Sequence, residues 1–370
     1  MSHEPIPLVD LRAQHAEVAD EIANGFARVF ERTAFILGSE VADFESAFAG
    51  YCGVAHCIGV GNGTDAIELT VRALGLGAGD EVLMPANTFI ATALGVIRAG
   101  AVPVLVDCDR YHLLDPARAA ERITPRTRAI LPVHLYGQLA DMEALEKIAS
   151  AHGLLLIEDA AQVQGASRHG RRCGNFGAAA ATSFYPGKNL GAYGDAGAVL
   201  TSSDDLAAHV RKLRNWGSDR KYYHPEIGFN SRLDTLQAVV LSAKLRRLDA
   251  WNAARRRAAA LYDRLLSGIE GIETPLVLSG NEHVYHLYVV RVANRDAVLA
   301  RLQEQRIEAG IHYPTPLHLH GALRELGYSR GDFPQAEQAA AEILSLPLHP
   351  HLTVAQQERI AVTLAECLTR

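Results

Sequence analysis

The amino-acid sequence predicts an α/β protein in two parts: a large unit built on a mixed, mostly parallel sheet, and a smaller α+β unit at the C-terminal end. Three observations carry this. From about residue 55 to 202, short apolar runs alternate with segments of helical period. The runs are apolar at successive positions, as strands are when helices cover both faces of a sheet. After Asn230 the alternation stops, and an Ala-, Leu- and Arg-rich segment leaves the core. A chain of 370 residues fits two to three units at about 150 residues each.

The strand-like runs are AHCIGV (55–60), EVLMP (81–85), VPVLVD (102–107), AILPVHLY (129–136), LLLIED (154–159) and GAVLTS (197–202). Between them, DAIELTVRALGL, TALGVIRAG, PARAAERI and MEALEKIASAHG repeat apolar residues every three or four positions, and most end near glycine, as helices do. Leu233 to about Leu266 reads as one or two helices. The second unit continues with a strand VYHLYVVRV (284–292), a helix DAVLARLQEQ, a loop GIHYPTPLHLH and closing helices near 334–344 and 353–368. The loss of the βα rhythm places a boundary near 248, giving a cofactor domain over 1–247 and a small domain over 248–370.

Composition narrows the function. Hydrophobic residues make up 48% and charged residues 21%, which excludes disorder and fibrous repeats. With 36 basic against 42 acidic residues the net charge is -6, so no polyanion surface and no nucleic-acid partner is expected. The longest uncharged apolar stretch, Val82 to Ile97, holds Pro85, Asn87, Thr88 and Thr92 and falls short of the ~20 residues of a spanning helix. The opening MSHEPIPLVD lacks a secretory pattern. Cys52, Cys57, Cys108, Cys173 and Cys367 are scattered without a C-x-x-C pair, which points to reduced thiols in the cytoplasm. The pairs His318/His320 and His349/His351 read as exposed or hydrogen-bonded loop residues without a carboxylate cluster, so no metal site is expected.

Three places have the residue types that chemistry needs. Gly61, Asn62, Gly63, Thr64 and Asp65 link a strand to a helix, where glycines let the backbone turn and free N–H groups attract phosphate. The same letters fit a loose dinucleotide fingerprint, but Asp80 lies in a turn before a strand rather than at a strand's end. The second place is Lys188. It is one of five lysines in the chain and the sole charged residue between Cys173 and Gly194. A desolvated amine in a Gly- and Ala-rich stretch loses its proton easily and attacks aldehydes, and Ser183 nearby offers a phosphate donor. The third is Asp159 at the carboxyl end of LLLIED, where a buried carboxylate calls for a cationic partner. Together they meet the needs of pyridoxal phosphate: a phosphate anchor, a partner for the ring nitrogen and a Schiff-base lysine.

At PLVDL, GNGTDAIEL, MPANTFIATA, EDAAQ, SFYPGKNLGAYGDAGAV, IGFNSRLDTLQA and GIHYPTPLH the chain resembles the DegT/DnrJ/EryC1/StrS sugar aminotransferases, a branch of the aspartate aminotransferase-like, fold type I pyridoxal phosphate enzymes. The resemblance implies that Lys188 carries the cofactor, which cycles through pyridoxamine phosphate, and moves the proton between cofactor and substrate carbons. Asp159 would pair with the ring nitrogen, Gln162 with the ring hydroxyl, and Phe89 would stack on the ring. Gly63, Thr64, Asp65 and Ser183 would hold the phosphate, with Asn230 arriving from the other subunit of a homodimer. By their residues alone, Phe89 reads as core packing and Asn230 as a turn.

The wording of SFYPGKNLGAYGD and GIHYP is most similar to the branch that moves an amino group from L-glutamate to C-3 of dTDP-3-keto-6-deoxyhexoses. Tyr185, His312 and Tyr313 would then line the sugar pocket, with Lys221 and Tyr222 reaching over from the partner subunit. A 4-keto sugar nucleotide, a hexuluronate and an inosose stay open as substrates. An NAD-dependent sugar-nucleotide dehydrogenase or epimerase and a pyridoxal-binding regulator are the alternatives of another class, and the arginines at 246 and 255–257 read as a solvated helix face. The sequence departs from the family at Gln164, where many relatives have His, and at Ala196, where glycine is common.

Overall fold

The computed structural model describes residues 4–368. In chain order the strands are β1 (His56–Val60), β2 (Glu81–Pro85), β3 (Val102–Val106), β4 (Thr127–Ile130), β5 (Leu155–Asp159), the short β6 (Ser167–Arg168), β7 (Ala179–Ser183) and β8 (Gly197–Thr201). All but β6 form one seven-stranded sheet in the order β1-β8-β7-β5-β4-β2-β3. Only β8 runs against its neighbours; the β2, β3, β4, β5 and β7 pairings are parallel. The predicted mixed, mostly parallel sheet is thus present.

Register explains where a ligand can collect. Val60 and Ser183 both lie opposite Gly197, and Asp159 lies opposite Ala181. The carboxyl ends of β1, β5 and β7 and the first residue of β8 therefore meet along one edge, the place where open α/β sheets bind ligands. The loop from β7 to β8, which holds Lys188, rises from that same edge.

Sequence reading missed β7. AAATS is poor in β-branched residues, yet it sits mid-sheet because alanines let the helix Gly63–Ala73 pack closely over it. The run AILPVHLY is also shorter than expected. Its strand ends at Ile130, Val133 forms a single bridge to Asp159, and Leu135–Gly137 is a tight helical turn in which Tyr136 has φ 60. The first fifty-odd residues, for which no elements were predicted, form helices Leu11–Ala16, Ala19–Arg32 and Ser39–Cys52.

The segment after Asn230 forms two helices, Thr235–Leu245 and Leu248–Leu266. Then β9 (Ile272–Glu273), β11 (Tyr288–Val292) and β12 (Ile343–Leu346) make an antiparallel sheet, while β10 (Asn281–Glu282) pairs with β6. The helix expected near 334–344 stops at Glu342 and gives way to β12. A second apolar cluster gathers Tyr262, Leu266, Tyr288, Leu302, Ile307, Ile360 and Leu364, and it takes in Ile6 from the other end of the chain. Backbone bonds from Ile6 N to Arg306 and from Glu308 N to Ile6 hold that strand-like end in place.

The arginines predicted to form a solvated face are exposed at 246 and 257, but not at 255. Arg246 pairs with Glu21 and Arg256 with Glu282, but Arg255 is buried and donates to the carbonyls of Tyr285 and Leu348. Its side chain packs inward against the chain around Tyr285 and Leu348 rather than into water. No helix among the described residues is long and apolar enough to cross a membrane.

Candidate active site

Lys188 stands in a loop that folds back on itself. Phe184 N donates to Ala196 O, Ala192 N to Phe184 O, and Lys188 N to Tyr185 O at 2.8 Å. Gly191 permits the crossing, since a Cβ there would fall 2.2 Å from Pro186 O. Burial disfavours the charged amine and lowers the Lys188 pKa to about 8, against the pull of Asp159, which favours the proton.

Asp159 sits at the end of β5, buried beneath the edge. Burial pushes its pKa up. Opposing this are a 2.8 Å hydrogen bond from Thr92 Oγ1, a 3.1 Å bond from Ala161 N and the nearby Lys188. A carboxylate so desolvated gains from a cation placed beside it. Behind it, His134 and Glu158, both without solvent contact, meet at 2.9 Å, and Ala140 N donates to His134 Nδ1 at 3.2 Å. That leaves Nε2 as the donor to Glu158.

The glycine loop closes on the ends of β7 and β8. A Cβ on Gly63 would lie 2.6 Å from Ser183 Cβ, and one on Gly197 would lie 2.4 Å from Asn62 C. The helix Gly63–Ala73 therefore starts against Ser183, with Thr64 in its first turn. Asp65 is placed differently from a phosphate ligand. Its carboxylate takes hydrogen bonds from Ser231 Oγ at 2.7 Å and Arg98 Nη1 at 3.2 Å, while its N–H is taken by the Asn62 cap. Asp80 accepts from Gly77 N at 2.9 Å and closes its own turn, which leaves the dinucleotide fingerprint without its ribose acid.

On the other side of Lys188, Gln162 Oε1 accepts from Tyr136 N at 2.6 Å and Nε2 donates to Tyr313 Oη at 3.3 Å. Tyr313 packs on Phe89 with ring centroids 5.1 Å apart, and Tyr136 Oη donates to the His312 carbonyl. His312 Nδ1 lies 2.8 Å from Ser345 Oγ; burial and the Lys188 charge lower its pKa to about 4. Lys188, Asp159, Gln162, Phe89, His312 and Tyr313 thus form one neighbourhood. Phe89 is half exposed rather than core.

Tyr185, Lys221, Tyr222 and Asn230 are exposed, Tyr222 to 84%. Lys221 Nζ lies 5.1 Å from the Tyr222 ring. Among the described residues no hydrogen bond or ring contact joins Lys221, Tyr222 or Asn230 to the Lys188 neighbourhood. The loop histidines behave individually: His318 meets Glu337 at 2.9 Å, His351 meets Glu17 at 2.5 Å, and His349 is buried. No group of three or more metal-ligating side chains occurs among the described residues.

Sequence reading did not find Thr92, Tyr136 or His286, whose pKa is held well below the usual range by burial and by Lys188. Tyr136 closes the apolar run 129–136, so a rule of reading the end of every such run would have flagged it, whereas Thr92 lies inside the helix Ile90–Arg98 and carries no such signal.

The DegT/DnrJ/EryC1/StrS aminotransferase family matches residues 16–365. The chain belongs to this family. It is 49% identical to the erythromycin biosynthesis sensory transduction protein EryC1 of Saccharopolyspora erythraea, over 97% of this chain and 98% of that one. It is 45% identical to the dTDP-3-amino-3,4,6-trideoxy-alpha-D-glucose transaminase of Streptomyces venezuelae, over 99% and 97%. The crystal structure of S. venezuelae DesV in complex with a ketimine intermediate superposes with a TM-score of 0.97 at 45% identity, covering 100% of both chains. The fold is fold type I and the cofactor of the family is pyridoxal phosphate.

The residues of this aminotransferase fit that cofactor. A buried amine of lowered pKa stands beside a buried carboxylate, and a helix N-terminus meets Ser183 where a side chain on residue 63 would collide. The first pair suits an aldehyde and a pyridinium, the second a phosphate.

Proposed function

We propose that this aminotransferase moves an amino group from L-glutamate to C-3 of a nucleotide-linked keto sugar, a dTDP-3-keto-6-deoxyhexose, as a cytoplasmic homodimer. The observation that carries the substrate class is the full-length likeness to a dTDP-3-amino sugar transaminase, joined to a buried Lys188 amine within the field of the Asp159 carboxylate. Bound pyridoxal phosphate supplies the electron sink that makes the substrate carbon acidic.

Lys188 holds the cofactor, then takes a proton from the donor carbon and returns one at the acceptor carbon. An amine with a pKa of about 8 serves as base in one half and acid in the other near neutral pH. Asp159 keeps a proton on the ring nitrogen. Gln162, oriented by Tyr136 N, offers its amide to the ring oxygen, and Phe89 covers a ring face. Gly63, Thr64 and Ser183 hold the phosphate, with the partner subunit's Asn230. Asp65 supports that loop through Ser231 and Arg98. Tyr185, His312 and Tyr313 face the sugar; His312 is neutral at pH 7 and so can donate or accept toward a hydroxyl. The partner subunit's Lys221 and the partner subunit's Tyr222 close over the nucleotide. We divide the chain at residue 248 into the cofactor domain and the small domain.

The test is a panel of 3-keto and 4-keto sugar nucleotides, a hexuluronate and an inosose, each incubated with holoenzyme and L-glutamate, with products resolved by mass spectrometry and NMR. Amination at C-3 of the dTDP-hexose above the other substrates is expected. Equal rates on 3-keto and 4-keto sugars overturn the regiochemistry, and another amino donor outrunning glutamate overturns the donor.

A further inference from the structure

A chain of buried amides runs behind the lysine. Asn189, next to Lys188 and buried, donates from Nδ2 to Asn252 Oδ1 at 2.8 Å and to Val284 O at 3.1 Å. Asn252 donates from Nδ2 to the Gln164 carbonyl at 2.9 Å. The Gln164 amide reaches Thr182 Oγ1 and Ser183 O, both at 2.9 Å, and Ala161 O at 3.1 Å. Ala161 N in turn bonds Asp159. Three side chains therefore connect the amine, the ring-nitrogen carboxylate and the phosphate-side serine.

We infer that Asn252 is a positioning residue that sets Lys188 against Asp159 and Ser183, coupling the helix Leu248–Leu266 to the cofactor site. The argument is one of donor and acceptor count. The Asn252 amide accepts from Asn189 and donates to the Gln164 carbonyl at once, whereas an ionised carboxylate cannot donate and an aliphatic side chain does neither. The surrounding chain makes room for it. Gly165 has φ +93, and a Cβ there would sit 2.4 Å from Asn252 Nδ2. Asn252 and Asn189 are each about 1–2% exposed, so a lost bond is not replaced by solvent. Gln164 is the member that hands the link on to β7.

The inference rests on Lys188 being the cofactor-bearing amine, and its test needs no sugar substrate. Asn252→Leu and Asn252→Ala holoenzymes are compared with wild type for the pH midpoint of the cofactor's absorbance change and for the single-turnover rate with L-glutamate. Both variants are expected to shift the midpoint and slow the turnover roughly ten- to a hundredfold, with glutamate affinity nearly unchanged. Gln357→Leu is the control. That amide is also buried and donates to Ala258 O on the same helix at 2.7 Å, so it costs stability without touching the site. An unshifted midpoint in a folded Asn252 variant overturns the inference, as does an equal shift in Gln357→Leu; Asn252→Ala, which removes the amide without adding charge or bulk, decides if the leucine variant does not fold. If borohydride fails to trap the cofactor on Lys188 in wild type, the functional reading fails instead.

Discussion

Burial disfavours the charged forms of both Lys188 and Asp159, and each favours the charged form of the other. Burial lowers the amine to about 8 while Asp159 raises it, so the amine becomes nucleophilic over a pH range where an ordinary lysine, at about 10.4, stays protonated. Capture of pyridoxal phosphate by the apoprotein, followed by absorbance, should reach half its maximum near pH 8. Asp159→Asn removes the pull that favours the proton and should move that midpoint to lower pH. A wild-type rate still climbing through pH 10 would contradict the first, and an unmoved or higher midpoint in Asp159→Asn the second. Lys188→Ala should abolish borohydride trapping and cut turnover by roughly 10²–10⁴-fold, the scale of a lost acid-base group.

At the level of elements, the site depends on how closely the helix Gly63–Ala73 approaches β7. Asn62 caps that helix through Oδ1, and glycine at 63 lets its first N–H groups stand against Ser183. Gly63→Ala adds a methyl group 2.6 Å from Ser183 Cβ. Because overpacking costs about 1–3 kcal/mol, the helix start should shift and cofactor affinity should fall about tenfold. Equilibrium dialysis against pyridoxal phosphate measures it; unchanged affinity would mean the loop relaxes without cost. Lys188 and Asp159 were legible because their chemistry contrasts with the residues around them. β7 was not, since AAATS carries packing rather than propensity, and neither was the commitment of Asp65 to Arg98 and Ser231, which come from distant parts of the chain.

Over the whole molecule, Lys244 joins the N-terminal helix to the lysine loop. It is 1% exposed and donates to Gln14 Oε1 at 3.2 Å and Gly191 O at 2.7 Å, with no carboxylate partner among the described residues. Burial lowers its pKa to about 8, below its value in the unfolded chain. Between that value and about 10.4 the unfolded state binds more protons, so stability rises with pH across this window, and the penalty is complete below it. Urea midpoints of the holoenzyme should show a gain on the order of 2 kcal/mol from pH 8 to 9.5, absent in Lys244→Met. The proposed homodimer with shared sites predicts a second result. Mixing Lys188→Ala with Asn230→Ala should restore about a quarter of wild-type activity, because half the dimers are hybrids and each hybrid rebuilds one complete site. No recovery on mixing would place each site within a single chain.

By itself the sequence determined the α/β class, the isolated lysine, the strand-end aspartate and the glycine turn, because each is a local matter of period, charge and backbone freedom. Only the tertiary structure decided which of the named residues meet. It gathered Phe89, Gln162, His312 and Tyr313 around Lys188, left Lys221, Tyr222 and Asn230 outside that group, and buried Arg255 where a solvated face was expected. Long-range pairings such as Ser231 with Asp65 and Asn252 with Asn189 depend on strand order and helix docking, which no local pattern records.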